Sequence, residues 1–547
     1  MTAAVTIFRA RHVRTLDPSR PVTDAVAVRE GMVIATGSVE ELSGYGDVNF
    51  DDTFADRVLL PGFVEAHSHI LEGHLWAHEY VGWFDRIGPD GVLRPGTTSV
   101  DDLLDRLNTL SQVIEDPGET LIVWGFDPIY FEGPRLAARH LDAVTPNRPI
   151  LIFHASGHLA TVNTALMTAE GFADGIEMEG VPVDADGRPL GELQEPAAMS
   201  LARTAMGTLF SGLVSAQSIG RLAILANRAG CTTVSELGIA DLKNPAGRAI
   251  WHEVLDDPAC PIRISLFHNA GGDFRDIEEI VAFMSSLVDN GTDKVHYGNV
   301  KIILDGSIQG FTARLNPPGY YRGQPNGIWL ITPERLEELM RALHRAQVTV
   351  HAHCNGDEAV DVFCDAVEAA QGAHSWADHR HTVQHNQMTT QAQYRRMSAL
   401  GMSANIFANH IYYWGDQHRD LILGPARAAA MDACASAERE GVRFSVHSDA
   451  AITPLGQLHT MWCAVNRLTA SGQVLGEHEC ISAETALRAV TIDAAHQLRL
   501  DHRVGSLEPG KHADMVALGD DPIEVEPEAI RDIDIAGTVV SGRPFPI

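Results

Sequence analysis

Two hydropathy textures alternate along the chain. Near each end, short β-branched runs are punctuated by Gly, Asp and Pro: AVTIFRA and DAVAVREGMVIATGS at the start, VGSLEPGKHADMVALGDDP and IAGTVVSGRPF at the finish. That spacing predicts short strands joined by turns. Strand edges need partners and chain ends commonly lie close together, so residues 1–57 and 495–547 are expected to join in one small β-sandwich.

Between them, apolar β-rich runs alternate with longer amphipathic stretches such as TPERLEELMRALHRAQ, the pattern of repeated βα units. The runs are RVLLPGFVEAH from Arg57, CTTVSEL from Cys231, IRISLF from Ile262, VKIILD from Val300, VTVHAH from Val348, HTVQH from His381, MSANIF from Met402 and VRFSVHSD from Val442. Eight such units predict an α/β fold with a closed (β/α)8 TIM-like barrel over residues 58–494. An open doubly wound sheet is the competing arrangement. The interval after the first run is too long for one crossover, and it carries strand-like LIVWGFDP and ILIFHAS. Residues of about 74–215 therefore read as an insertion over one barrel face, of the kind that shapes a substrate pocket. No internal repeat or low-complexity tract is visible.

Charge then narrows the partners. Lys and Arg total 41 against 72 for Asp and Glu, and the net charge of −31 gives a field that repels nucleic acid and anionic membranes. No run approaches the roughly 20 apolar residues of a membrane helix. The start mixes charge into its apolar run, so a cytoplasmic location is expected. The seven cysteines form no CxxC pair and fit reduced thiols. A homodimer is the expected assembly for a barrel of this size.

Barrel enzymes place their chemistry at the C-terminal ends of the strands. The polar residues there are rich in metal-ligand types: His67 and His69 after the first run, Lys301 and then Asp305 at the fourth, His351 and His353 at the fifth, His385 at the sixth, His447 and Asp449 at the eighth. His67 and His69 stand two residues apart, so both imidazoles point to one side of a strand and can grip one ion. Two hydrogen-bonded histidines would satisfy the same motif alone. Adding His353, His385 and Asp449 from separate strand ends favours a metal site. Imidazole and carboxylate ligands suit Zn, Mn, Fe, Co or Ni.

The ordered set PGFVEAHSH, VKIILDGS, HCNGD, VQHNQ and HSDAAITP resembles the amidohydrolase superfamily, specifically its YtcJ-like amidohydrolase-3 branch; VWGFDP, SGHLATVNTALM and VGSLEPGKHADMVAL extend the likeness. The resemblance implies two metals, expected to be zinc, with His67 and His69 on the more buried ion and His353 and His385 on the second. Asp449 would ligate metal and handle the proton. Lys301 would correspond to an N-carboxylated lysine bridging the ions; a carbamate beside two dications is favoured over a free ammonium. Glu192, Glu195 and Cys231 are alternative bridging residues. The implied reaction is attack of a metal-activated hydroxide on a scissile carbonyl, with Asp449 returning the proton to the leaving nitrogen. His158 is a candidate for steadying the oxyanion or holding substrate. His351 and His447 are candidates for orienting the ligands, and Asp305 and Asp357 read as structural.

Aromatic clusters at Trp83, Trp124, Tyr412 and Trp414 suggest a small substrate with an apolar or aromatic group. The expected substrate is an amide, an N-substituted formamide or a cyclic amide. Two other readings are a non-hydrolytic decarboxylase or isomerase of the same superfamily, and a barrel that binds a small molecule without turnover.

Overall fold

A computed structural model describes residues 4–131, 133–270 and 276–547 of the chain. The chain divides into two units. The first holds the chain up to Ile70 together with Val214–Ala450 and Leu455–Ile547; the second holds Leu71–Leu213 and Ala451–Pro454.

In the first unit, eight parallel strands follow one another in chain order: β1 (Phe63–Glu65), β2 (Cys231–Glu236), β3 (Arg263–Asn269), β4 (Val295–Ile303), β5 (Thr349–Cys354), β6 (Thr382–His385), β7 (Ser403–Ile406) and β8 (Phe444–Val446). A doubly wound sheet would reverse its strand order partway; this one does not. Beyond the strand ends, Ser68 bridges Ala450 and His69 N–H donates to Ala450 O at 2.7 Å, bringing the exits of β1 and β8 together. The eight predicted apolar runs all become strands. β1, β2 and β5 to β8 are buried on both faces, so no face follows an apolar-in, polar-to-solvent alternation; their polar residues, among them Thr233, Ser235, His351, His353 and Gln384, are buried too.

The first run differs in one respect from its prediction as a single strand. Val58–Pro61 pairs antiparallel with Met515–Leu518, whereas Phe63–Glu65 enters the barrel. The break falls at Gly62, where an added Cβ would stand 2.1 Å from Thr232 Oγ1, so only glycine fits that close approach.

The crossover helices obey local rules. In Pro333–Arg345, Thr332 caps the N-terminus by accepting from Arg335 N–H, and proline occupies the first turn. Leu336, Leu339, Met340 and Leu343, at helical spacing, are buried.

The chain's two ends do meet. Val5–Arg14, Val22–Arg29, Met32–Gly37, Val48–Asp51, Val58–Pro61, Met515–Leu518, Ile535–Val540 and Arg543–Pro546 form one eight-stranded sheet. Alternation along the first two strands serves two cores: Phe8, Val26 and Val28 face one cluster, Ile7, Ala25 and Ala27 the other.

The second unit is built on a five-stranded mixed sheet that includes Leu121–Phe126, Ile150–His154 and Leu159–Val162. No helix among the described residues is long and apolar enough to cross a membrane.

Candidate metal centre

Glu65, His67 and His69 lie on one face of the segment that leaves β1. Glu65 is fully buried and ties that segment to the end of β8: it accepts from His67 N–H at 2.9 Å and from Ser448 N–H at 3.0 Å, with the Ser448 hydroxyl as a third donor. Those bonds lower its acidity range less than burial raises it, and its carboxyl is pushed up to about 7.

With the backbone so fixed, the imidazoles converge on Asp449. His67 Nε2 and His69 Nε2 each lie 3.3 Å from Asp449 Oδ1, and His385 Nδ1 lies 3.7 Å from Asp449 Oδ2. Lys301 Nζ is 3.4 Å from His67 Nε2. Glu236, ending β2, has Oε1 4.0 Å from His69 Nδ1 and accepts from the amides of Ile70, Ile239 and Ala240. Among the described residues three groups have ligand atoms mutually within 4.8 Å, and two of them lie here: His67, His69 and Asp449, and His67, His385 and His447; the third is His12, Asp521 and Glu524. His385, Asn386 and Asp449 all carry left-handed backbone, with φ of 73°, 54° and 51°. Strained backbone of this kind persists where the surrounding structure over-determines it, commonly at functional sites.

Many of these atoms lack hydrogen bonds although they are buried. They include His69 Nδ1, His385 Nδ1, both nitrogens of His447 and Asp449 Oδ1, which makes no well-formed hydrogen bond despite its two imidazole neighbours. Each such atom costs about 1–3 kcal/mol. A divalent cation fits the group: the donors are borderline nitrogens and a hard carboxylate, and coordination would use the idle lone pairs. Burial pushes His67, His385 and His447 well below the ordinary imidazole value, so they are neutral and their lone pairs are available. Burial pulls His69 down as well, but Asp449 and Glu236 outweigh it and hold the ring at about 9, so His69 would have to give up a proton to ligate a cation. Burial also brings the Lys301 ammonium down to about 7, against the pull of Asp449.

The predicted residues are thus partly assembled. His67, His69, Lys301, His385 and Asp449 stand together. His353 packs its ring 4.3 Å from that of His385, while its Nε2 meets Asn355 Nδ2 at 3.0 Å and Gly306 O at 3.1 Å. His447 is stacked between His67 and Phe407. Asp305 anchors a loop by accepting from the amides of Arg314, Asn355 and Gly356, and Asp357 accepts from Asn316 N–H. Cys231 opens β2, at the far end from Glu236. Trp414 is buried against Phe407 and His410, and Tyr412 packs on His459 and Trp462.

His158, Glu192, Glu195, Trp83 and Trp124 belong to the second unit. There His158 Nδ1 meets Glu195 Oε2 at 2.8 Å, and Glu192 pairs with Arg135. Trp83 stacks on Tyr130; Trp124 is buried beside Trp76, Tyr80 and Arg86.

Sequence reasoning missed four residues. Glu65 was findable, because it continues the two-residue period of His67 and His69. Glu236 ends its strand as the named residues end theirs. His410, after β7, bonds Asp432 through Nδ1 at 3.1 Å and packs against Phe407. Gln384, bonded to His67 Nδ1 at 2.6 Å, had no signal beyond its place beside His385.

The chain is similar to known proteins over nearly its full length. It is 26% identical over 529 residues to Protein LONG AFTER FAR-RED 3 of Arabidopsis thaliana, covering 92% of this chain and 85% of that one. It is 26% identical over 555 residues to N-substituted formamide deformylase of Arthrobacter pascens, covering 97% and 96%. An uncharacterized metal-dependent hydrolase from Pyrococcus horikoshii shares the fold with a TM-score of 0.70 at 18% identity, over 96% of this chain and 99% of that one. Residues 55–545 match the model of the amidohydrolase family, and with the barrel and its histidine-rich rim in place this chain belongs to that family.

Proposed function

We propose that the protein is a metal-dependent amidohydrolase that cleaves the C–N bond of a small amide or N-substituted formamide carrying an apolar or aromatic group. The observation that carries this is the convergence of His67, His69, His385 and Asp449 at the strand ends with buried atoms left without hydrogen bonds. These residues, with His353 beside His385, would hold two divalent ions, with zinc the favoured metal. When bound, the ions would supply Lewis acidity and lower the pKa of water.

The protein's own groups supply the rest. Asp449 accepts the proton of the attacking water on its carboxylate and returns it to the leaving nitrogen. Lys301, brought down to about 7 by burial, has a free-amine fraction that would add CO2 with release of one proton, and the resulting carbamate anion would help to hold the ions. Gln384 holds His67 from behind. Likeness to the formamide deformylase supports the substrate class.

Elemental analysis of the purified protein, followed by chelator stripping, metal reconstitution and a screen of amides and formamides, tests the reading. Hydrolysis should vanish on stripping and return with the metal. Activity that survives complete stripping would overturn the metal dependence, and one ion per chain in place of two would remove the Lys301 bridge.

A further inference from the structure

Behind His67 lies a chain of buried polar groups whose donor and acceptor roles are forced from one end. His351 Nε2 lies 3.1 Å from the backbone carbonyl of Gln497. A carbonyl only accepts, so His351 carries its proton on Nε2 and its Nδ1 is an acceptor. Gln384 Nε2 lies 2.7 Å from that Nδ1 and donates to it. The amide's orientation is thereby fixed, and its Oε1 faces the other way. There it accepts from Asn405 Nδ2 at 2.9 Å and meets His67 Nδ1 at 2.6 Å. His67 must then carry its proton on Nδ1, leaving the lone pair of Nε2 toward Asp449 and Lys301. All five residues are buried, with His351, Gln384, Asn405 and Gln497 at 0% exposure and His67 at 1%, so bulk water does not compete for these bonds.

We infer that Gln384 and His351 are positioning residues that set the tautomer of His67 from the Gln497 carbonyl, so that Nε2 is presented as a ligand. The inference rests on the metal-binding reading above. A flipped Gln384 would place its NH2 against His67 and drive the ring proton to Nε2, turning the ligand atom into a donor aimed at the site. Groups that orient metal-ligating histidines typically carry 10–100-fold in metal affinity.

The test compares wild type, Gln384→Leu, Gln384→Glu and His351→Phe by two readouts. Zinc affinity is measured by competition with a chromophoric chelator. Ring 15N spectra of histidine-labelled, metal-free protein report the tautomer, with the His67 signals identified by their absence in His67→Asn. Gln384→Leu and His351→Phe should bind zinc about 10–100-fold more weakly and convert the His67 signals from one tautomer to a mixture. Gln384→Glu, which still accepts from Nδ1–H, should restore both. Unchanged His67 signals in Gln384→Leu would overturn the inference, as would a Gln384→Glu variant no better than Gln384→Leu, which would mean that the residue acts by packing. If wild type binds no zinc, the metal reading falls, while the ring spectra still decide the tautomer relay.

Discussion

Two histidines flank strand β6, His381 directly before its first residue and His385 at its last, and they sit in clusters of opposite character. At the start of the strand, His381 belongs with His344 and His379, where every ring nitrogen is used. His381 Nδ1 accepts from Val350 N–H at 3.1 Å and its Nε2 donates to His344 Nδ1 at 2.9 Å. His344 Nε2 donates to His374 O at 2.9 Å. His379 accepts from His381 N–H and donates to Leu400 O. At the other end of the strand, His385 joins His67, His69, His447 and Asp449, where ring nitrogens and a carboxylate oxygen have no hydrogen bonds. Residue type and burial are shared, and both residues lie at the limits of one short strand. Only the accounting of lone pairs separates a structural cluster from one that calls for a ligand.

If this distinction is correct, substitutions at the two ends must fail differently. The largest expected effect is at Asp449. Asparagine tolerates the left-handed backbone there, so Asp449→Asn should keep its thermal midpoint within a few degrees while kcat falls on the order of 10²–10⁴-fold, the span of general acid–base catalysis. Steady-state kinetics beside calorimetry would check it, and a collapse of stability with activity would place Asp449 among the structural residues.

At the start of β6 the pattern should invert. His381→Leu strands His344 Nδ1 and Val350 N–H in the interior, so urea unfolding should show a loss of about 1–3 kcal/mol for each group left unpaired, with turnover near wild type below the transition.

A smaller effect is pH dependence. Burial holds His379 and His381 below the ordinary imidazole value in the folded protein. The unfolded chain takes up protons near pH 6.5, so it binds more protons than the native state below that pH. Their contribution to stability is therefore complete above about pH 6.5 and is lost as pH falls. The urea midpoint should decline between about pH 7 and 5, less steeply in His381→Leu. An identical slope would mean that these rings do not carry the linkage.

Much of the architecture was legible because burial writes a simple code. Short β-rich runs separated by amphipathic stretches marked the barrel strands, and all eight were found. The histidines and Asp449 were found because the rim of a parallel barrel narrows the search to strand ends. What escaped has physical reasons too. Gly62 looks like any strand glycine until Thr232, far along the chain, is brought against it. Gln384 and His385 are neighbours, so the alternation of a strand sends them to opposite faces; yet Gln384 bonds His67 while the His385 ring packs 4.7 Å from it. The left-handed backbone at His385 ends the alternation there.

The sequence by itself determined the order of the βα units, the joining of the two ends and the residue types at the barrel rim, because those depend on local periodicity and on which side chains leave water. It could not distinguish the histidines of 344, 379 and 381 from those of 67, 69 and 385. Tertiary structure alone decided that, because satisfying a lone pair depends on groups brought within about 3 Å from distant parts of the chain, and a sequence records the donors and acceptors without recording which of them meet.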